Sequence, residues 1–170
     1  MTINDAIYKT KGKNDECYTP SNVVKTIMPY IPKGWVVWCP FDKEDSEFVK
    51  VLISNGYKVL YSHIDYGQDF YTYEPEEHYD CIVSNPPFTG KREIFERAMQ
   101  LEKPFMLLMT AQWFNDAAPV QLFLKYNIPM QVIHFDKRIQ FKGQENKIPF
   151  KSVFIGSGFP FEHDNLLLKL

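Results

Sequence analysis

The sequence contains 170 residues with a mass of 20.0 kDa, which fits one domain but not a catalytic domain plus a separate recognition domain of about 100 residues. Hydrophobic residues make up 45% and aromatic residues 16%, so the chain can bury a core and is not a disordered polymer. The 19 basic and 21 acidic side chains nearly cancel, which excludes a strong net field for a polyanion or a membrane surface.

Predicted helices and strands alternate along the chain. Residues 1–16 are polar and rich in lysine and predict a flexible N-terminal arm, whereas residues 17–170 predict a single domain. Helical spacing of the apolar residues predicts four helices, which cover 21–28, 44–56, 91–102 and 115–127. Short apolar runs predict six strands, which cover 34–40, 58–64, 79–87, 105–110, 130–135 and 151–159, and those at 34–40 and 79–87 have the continuous apolar character of buried strands.

This alternation predicts an α/β fold with a mostly parallel sheet and right-handed crossovers. The last two predicted strands are joined without a helix, so we expect the last strand to run antiparallel. We expect the tail, residues 166–170, to pack back as an edge element. Ligands of such sheets bind beyond the carboxyl ends of the strands. In this chain those ends lie at 39–42, 64–65, 85–88 and 110–112.

The most specific motif is Asn85-Pro86-Pro87-Phe88, directly after a buried apolar run. A match to this pattern arises by chance in about half a per cent of sequences of this length. Two prolines fix the backbone and supply no N–H donors, so their carbonyls and the Asn85 amide form rigid acceptors that suit an amino group. Phe88 supplies a flat face on which a base can stack. The alternative is a rigid strand-to-helix turn with a core phenylalanine.

The cysteines and histidines show no pattern of a disulfide framework or a metal site. Cys17, Cys39 and Cys81 lack CxxC spacing, which predicts reduced thiols and a cytoplasmic location, with the last two in the core. The histidines are too scattered in sequence to predict a metal site. No run approaches the roughly 18 apolar residues of a membrane span, and the N-terminus has no signal-peptide pattern, so we expect no membrane partner.

These motifs resemble those of the adenine-N6 DNA methyltransferases, whose catalytic motif [DNS]-P-P-[YFW] follows the fourth strand of a seven-stranded, Rossmann-like class I methyltransferase sheet. The likeness extends over nearly the whole chain. Residues 18–20, Tyr-Thr-Pro, resemble the N-terminal cofactor motif, and residues 67–70, Gly-Gln-Asp-Phe, resemble the G-x-D-F segment around the cofactor adenine. Residues 149–152 resemble the hairpin that closes the sheet. Residues 38–42, Trp-Cys-Pro-Phe-Asp, resemble a compact subgroup carried by phages and mobile elements.

The resemblance implies methyl transfer from S-adenosylmethionine to adenine N6 in DNA. The implied catalytic turn is Asn85, Pro86, Pro87 and Phe88: Asn85 and the Pro86 carbonyl would accept hydrogen bonds from the amino group, and Phe88 would stack on the flipped base. The residues implied to bind the cofactor lie in the N-terminal motif and near the ends of the first two strands. They are Tyr18, Thr19, Pro20, Cys39, Pro40, Phe41, Asp42, His63, Asp65, Asp69 and Phe70.

The chain departs from the family at two places in the implied cofactor site. Members carry a glycine-rich turn after the first strand, whereas residues 40–46 contain no glycine and three acids. Asp42 in this turn is interpreted either as a ligand of the cofactor ammonium group or as a helix N-cap or solvated acid. His63 stands where an acid is expected for the cofactor ribose, with Asp65 as a substitute; the alternative for His63 is a structural role.

The basic residues concentrate in the second half of the chain. Residues 1–85 hold 8 basic and 13 acidic side chains, a net of −5, and residues 86–170 hold 11 and 8, a net of +3. Aromatic residues 135, 141 and 150 interleave with the basic ones, which suits phosphate contacts and base stacking. The predicted nucleic-acid-binding residues are Lys91, Arg92, Lys137, Arg138, Lys142 and Lys147. The alternative is an ordinary solvated hairpin.

Trp113 is expected in the core or, alternatively, beside the target pocket.

Two functions from different classes follow from these patterns. The first is an adenine-N6 DNA methyltransferase of phage or mobile-element origin with little sequence specificity of its own, for which RNA is the alternative substrate. The second is a degenerate methyltransferase fold that acts as a binding or inhibitor module, because an acid-rich turn can mimic phosphates. Both leave open the oligomeric state and a host or phage protein partner.

Overall fold

Seven strands and four α-helices form within residues 18–143 and 148–170, which are the residues that the computed structural model describes. The predicted arm 1–16, Cys17 and Lys147 lie outside them. The strands are β1 (Val36–Cys39), β2 (Lys58–Tyr61), β3 (Cys81–Ser84), β4 (Phe105–Thr110), β5 (Gln131–Phe135), β6 (Ser152–Ser157) and β7 (Asn165–Leu168). The helices are α1 (Ser21–Ile27), α2 (Glu47–Ser54), α3 (Lys91–Gln100) and α4 (Ala118–Tyr126).

All seven strands form one sheet in the order β2-β1-β3-β4-β6-β5-β7. The pairs β1–β2, β1–β3 and β3–β4 are parallel, and β6 runs antiparallel to both β4 and β5. The prediction of a mostly parallel α/β sheet whose strand 151–159 returns antiparallel is therefore confirmed. The tail, expected as an edge element, forms β7, which pairs in parallel with β5 at the edge of the sheet.

The helices cover both faces of the sheet, because successive strand residues point to opposite sides. On β1, Val37 packs in one core with Phe48 of α2. Its neighbour Trp38 packs in the other core with Phe95 of α3. Helices α1 and α2 cover the first face and α3 and α4 the second. The central strands β3 and β4 are buried along their whole length, as expected from their continuous apolar sequences.

Helix boundaries differ from the predictions where a cap or a proline decides them. Helix α2 is shorter than the predicted 44–56, because the Ser46 hydroxyl accepts a hydrogen bond from the Val49 N–H at 3.3 Å and so caps the helix. Gly56, with φ of 86°, follows its end. Helix α4 begins later than predicted, with Pro119 in its first turn, where the missing N–H costs little.

The Asn-Pro-Pro-Phe motif follows β3, which is the third strand along the chain. The sequence predicted the motif after the third strand of the chain, and the structure agrees; the family pattern has one strand more before it, and here residues 62–80 form turns and contain no strand. The carboxyl ends of the parallel strands β1, β2 and β3 meet at one edge of the sheet, so the motif lies beside the turns that follow β1 and β2. Within the described residues, no helix combines the length and apolar character needed to cross a membrane.

Candidate active site

A cavity of about 1010 Å³ opens at this edge of the sheet. Its walls come from the turns after β1, β2 and β3, from the first turn of α2, and from two segments that lie far apart in sequence, around residues 18–19 and 142–143. The structure thereby brings together most of the predicted catalytic and cofactor residues. On the cavity wall lie Tyr18, Thr19, Pro40, Phe41, Asp42, His63, Asp65, Phe70, Asn85, Pro86, Pro87 and Phe88.

The side chain of Asn85 is held by a residue from the N-terminal motif. Its Nδ2 donates a hydrogen bond to Thr19 Oγ1 at 3.0 Å, although the two residues are 66 positions apart. Because Nδ2 is directed at Thr19, the carbonyl oxygen Oδ1 occupies the other edge of the amide group. Both prolines that follow are buried, and neither offers an N–H donor. The two prolines therefore hold the backbone of the turn rigid, and the Asn85 Oδ1 atom is itself buried in the turn.

Phe88 makes an aromatic pair with Phe150, which lies just before β6. The ring centroids are 5.6 Å apart and the planes are inclined at 83°, an edge-to-face arrangement. Both rings are half-buried, and Phe88 lies on the cavity wall. Phe135 and Phe141, which were predicted to interleave with basic residues for base stacking, are instead buried in the core. For these two the stacking prediction is wrong, because their apolar rings fill the core below β5.

The turn after β1 buries an acid instead of exposing a glycine backbone. Asp42 is only 7% exposed, and its Oδ2 accepts a hydrogen bond from Ser84 Oγ at 2.5 Å. Ser84 Oγ in turn accepts from the Phe41 N–H at 3.3 Å, so this serine joins the β1 turn to β3. Burial raises the pKa of Asp42 to about 6, against the opposing effect of hydrogen bonds from Ser84 and Ser46. The N-cap and solvated-acid interpretations of Asp42 are both wrong, because Ser46 caps α2 and Asp42 is buried.

The turn after β2 carries His63 and Asp65. The His63 Nδ1 accepts a hydrogen bond from the Asp65 N–H at 3.0 Å and caps a single 3₁₀ turn, and His63 also lies on the cavity wall, so both interpretations of this residue stay open. The Asp65 carboxylate is 54% exposed and forms an ion pair with Lys43 from the β1 turn. Both Asp65 and Lys43 line the cavity, so sequence reasoning missed a cation at the predicted ribose site.

The Gly-Gln-Asp-Phe segment contributes its aromatic residue and not its acid. Phe70 is buried, lies on the cavity wall and packs against Phe41 with ring centroids 4.8 Å apart. The Asp69 carboxylate accepts a hydrogen bond from the Tyr71 N–H at 3.0 Å and does not belong to the described cavity wall. Cys39 and Pro20, also predicted to bind the cofactor, are likewise not among the lining residues; burial raises the pKa of the Cys39 thiol, as in a core cysteine.

One side of the cavity is closed by a bridge between distant segments. The Lys142 N–H donates to the Tyr18 carbonyl at 3.0 Å in an isolated antiparallel bridge. The Lys142 side chain forms an ion pair with Glu47 of α2 at 2.6 Å. Lys142 was predicted to contact nucleic acid, and the structure places it on the cavity wall. No sequence pattern indicated its two partners, which are separated from it by 124 and 95 residues.

The other predicted nucleic-acid-binding residues are not on the described cavity wall. Lys91 and Arg92 begin α3, three residues after Phe88, and Arg92 donates a hydrogen bond to Gln121 at 3.2 Å. Lys137 and Arg138 are exposed after β5. Trp113 is buried against Phe95, which places it in the core and not beside the pocket. Residues 18–143 and 148–170 contain no group of three or more His, Cys, Asp or Glu side chains that could hold a metal ion.

Comparison with known proteins identifies structures that share this fold. No protein-family model and no curated protein matches the sequence. A Listeria monocytogenes protein described as a class I S-adenosylmethionine-dependent methyltransferase aligns with 96% of this chain and 68% of its own, at a TM-score of 0.56 and 14% identity. A chain from a type I restriction–modification system aligns with 98% of this chain and 47% of its own, at a TM-score of 0.55 and 12% identity.

A third structure belongs to the same group. The modification subunit of a type I restriction enzyme, as it is described, from Vibrio vulnificus aligns with 97% of this chain and 49% of its own, at a TM-score of 0.50 and 12% identity. The present chain thus spans about half the length of both restriction-system chains. At these identities the likeness establishes a shared fold, so the chain has the α/β fold of class I methyltransferases.

Proposed function

We propose that this chain transfers a methyl group from S-adenosylmethionine to an exocyclic amino nitrogen of a nucleobase, with adenine N6 in DNA as the substrate. The observation that carries the proposal is the rigid Asn85-Pro86-Pro87-Phe88 turn on the wall of a large cavity at the carboxyl edge of the sheet. An amino group has two N–H donors, and this turn offers matching acceptors next to an aromatic face. The shared fold with a class I methyltransferase supports the same chemistry.

The residues of the cavity fit the chemical groups of this cofactor. The cavity, with a volume of about 1010 Å³, is large enough for a nucleoside-sized ligand together with a target base. The packed pair Phe41 and Phe70 offers an apolar wall for the adenine, and Asp65 an acceptor for ribose hydroxyls. Asp42 offers a buried carboxylate for a positive group. When bound, S-adenosylmethionine would supply a sulfonium methyl group: the nitrogen lone pair forms the new bond to the methyl carbon, the electrons of the broken carbon–sulfur bond stay on sulfur, and the nitrogen releases one proton to solvent water.

The residues of the chain act mainly by positioning the target amine and its base. Asn85 Oδ1 and the Pro86 carbonyl accept the two N–H groups of the target amine, which favours a pyramidal nitrogen with its lone pair free. Thr19 keeps the Asn85 amide from turning, since it accepts from Nδ2 at 3.0 Å. Phe88 stacks on the base, and Phe150 supports Phe88 from its edge. Proton transfer needs no strong base here, so orientation supplies most of the rate.

The nucleic acid is proposed to contact basic side chains near this turn. Its target base is proposed to flip out of the duplex to enter the cavity. Lys91 and Arg92 follow the turn directly, and Lys137 and Arg138 are exposed after β5, so these four side chains are proposed to contact phosphates. Two of the compared structures come from type I restriction–modification systems, one of them a study of complex assembly, which favours a nucleic acid substrate and a protein partner.

The test combines calorimetric titration with S-adenosylmethionine and incorporation of labelled methyl groups into single-stranded DNA, duplex DNA and RNA. We expect wild-type protein to bind the cofactor and methylate adenine in DNA. Asn85→Ala should lower the rate about 100-fold or more, because it removes an acceptor of the reacting amine. Asn165→Ala on β7, which lies four strands from β3 in the sheet, is the matched control and should leave the rate unchanged. Absence of cofactor binding by wild-type protein would overturn the proposal.

A second candidate function is a binding module that has lost the chemistry. It is favoured by one observation, the turn 40–46, which has no glycine and three acids. A module of this kind would bind neither S-adenosylmethionine nor a methylatable base. The same titration therefore separates the two candidates, and methylation confined to RNA would retain the chemistry while changing the substrate.

A further inference from the structure

The buried carboxylate of Asp42 has surroundings that a structural role does not explain. Among the buried residues of the described chain it is the one with a charged side chain, and none of the ion pairs between described residues includes it. It faces the cavity while accepting a hydrogen bond from Ser84. Ser84 is followed directly by Asn85, and Asp42 and Asn85 both lie on the wall of this cavity.

The other charged groups around the cavity are more exposed or already paired with one another. In the same turn, Lys43 pairs with Asp65, and Asp45 is exposed. On α2, Glu47 pairs with Lys142, and Lys50 is exposed. After β2, His63 caps a turn. From β1, the buried Cys39 thiol lies close to Asp42. The positive charges among these groups are at the surface, so none of them neutralises Asp42 in its buried position.

We propose that Asp42 recognises the positive charge of the sulfonium group and thereby makes the site prefer S-adenosylmethionine to its product, S-adenosylhomocysteine. This inference rests on the proposed function. The two molecules share the adenosine, the ammonium and the carboxylate groups, and they differ by one methyl group and one positive charge on sulfur. A buried anion beside the reacting centre attracts the cation strongly, because little water screens it. Once the methyl group has left, that attraction is gone.

The preference should depend on pH in a defined direction. The pKa of Asp42 is about 6 in the free protein, so the carboxylate is mostly ionised at pH 8 and mostly protonated at pH 5. A protonated Asp42 cannot distinguish the cation from the neutral thioether. Preference for S-adenosylmethionine is therefore present above about pH 6 and is lost as the pH falls through that value.

The experiment measures the dissociation constants of S-adenosylmethionine and S-adenosylhomocysteine by calorimetry at pH 5.0 and pH 8.0. The quantity of interest is their ratio. Asp42→Asn should reduce the preference at pH 8.0 about tenfold, which is about 1.4 kcal/mol, and should make it independent of pH. Glu44→Gln removes an exposed acid from the same turn that does not line the cavity, and should leave both the ratio and its pH dependence unchanged. His63→Gln should also retain the pH dependence, which excludes the imidazole as its source.

If Asp42→Asn weakens the binding of both ligands equally, the inference is overturned. Such a result would assign Asp42 to the ammonium group, which both ligands share. If wild-type protein binds neither ligand, the proposed function fails; if it binds both with a ratio that does not change with pH, only the inference fails. Ser84→Ala keeps the inference testable should Asp42→Asn not fold. It removes a hydrogen bond that favours the ionised carboxylate, so the midpoint of the pH dependence should move upward; an unmoved midpoint would contradict the assignment to Asp42.

Discussion

Replacement of Asp42 by asparagine should stabilise the protein at neutral and alkaline pH. Burial raises the pKa of this carboxyl group from its ordinary value of 3.8 to about 6, which means that the folded protein binds a proton more tightly than the unfolded chain. The proton bound by Asp42 contributes fully to the stability of the folded protein below pH 3.8, and this contribution is lost as the pH rises to about 6. The shift corresponds to about 3 kcal/mol, with little discount for solvent because Asp42 is 7% exposed.

Asparagine keeps the shape of the side chain and can still accept the Ser84 hydrogen bond, while its amide N–H₂ can donate to Ser46. Allowing for imperfect pairing of that amide, we expect Asp42→Asn to raise the free energy of unfolding by about 2 kcal/mol at pH 8. For a domain of this size the increase corresponds to a rise in melting temperature of about 4 to 8 °C. The gain should vanish near pH 4, where the wild-type carboxyl group is itself protonated in the folded protein.

Urea unfolding of both proteins between pH 4 and pH 8, followed by circular dichroism, measures this difference directly. Asp45→Asn is the control, because Asp45 is exposed in the same turn and should change the stability by less than about 0.5 kcal/mol. A destabilised Asp42→Asn at pH 8 would refute the reasoning. It would mean that the hydrogen bonds from Ser84 and Ser46 outweigh the cost of burying the charge.

Three further substitutions follow from contacts at the site and in the sheet. Phe150→Ala should lower kcat/KM about tenfold with little change in cofactor affinity, because the lost edge-to-face contact supports the stacking phenylalanine. Thr19→Val should lower kcat about tenfold, since the Asn85 amide loses its acceptor at 3.0 Å, and Thr19→Ser should restore the rate. Gly156→Ala should lower the free energy of unfolding by about 3 kcal/mol or more in urea titrations, because its Cβ would lie 1.8 Å from the Phe105 carbonyl oxygen.

Two of these substitutions have a control elsewhere in the chain, and the third has an outcome that would contradict it. Phe161→Ala removes a half-buried ring from a different aromatic pair, with Tyr30, and should not affect turnover. An unchanged rate in Thr19→Val would show that Asn85 is oriented by other contacts. Gly34→Ala meets no atom within 4 Å but keeps a φ of 88°, so it should cost only about 1 kcal/mol. A similar cost at Gly156 would contradict the steric argument.

The sheet was predictable because its signals are local. The apolar runs bounded by glycine, proline and turn residues correspond to six strands of the structure, and the missing helix before β6 correctly indicated a reversal of direction. Strand β7 was expected only as an edge element, because the run 166–170 is short and has no alternation to reveal a partner. Helix ends were less accurate, since a single hydrogen bond from Ser46 decides where α2 begins.

The site was predictable only as far as its motifs are contiguous. Asn85 and the residues after it lie where the motif predicted. The burial of Asp42 depends on Ser84, 42 residues away, and the closure of the cavity depends on the pair Lys142 and Glu47, 95 residues apart. Such contacts have no periodicity in the sequence, because they arise when the turns of different strands meet at one edge of the sheet. The sequence could therefore indicate the Asn85-Pro86-Pro87-Phe88 turn but not the charge environment around it.

The acid-rich turn divides into two parts that the two candidate functions use differently. A phosphate mimic needs carboxylates at the surface, and Glu44 and Asp45 are exposed, whereas Asp42 is buried and cannot act in that way. The proposed methyl donor carries a positive charge, and Asp42 offers it a buried carboxylate on the same cavity wall as Asn85. Burial of the Asp42 carboxylate, which raises its pKa, lowers the stability of the folded protein at neutral pH, and a binding module would gain nothing in return. Its burial on the cavity wall therefore favours the enzyme over the module.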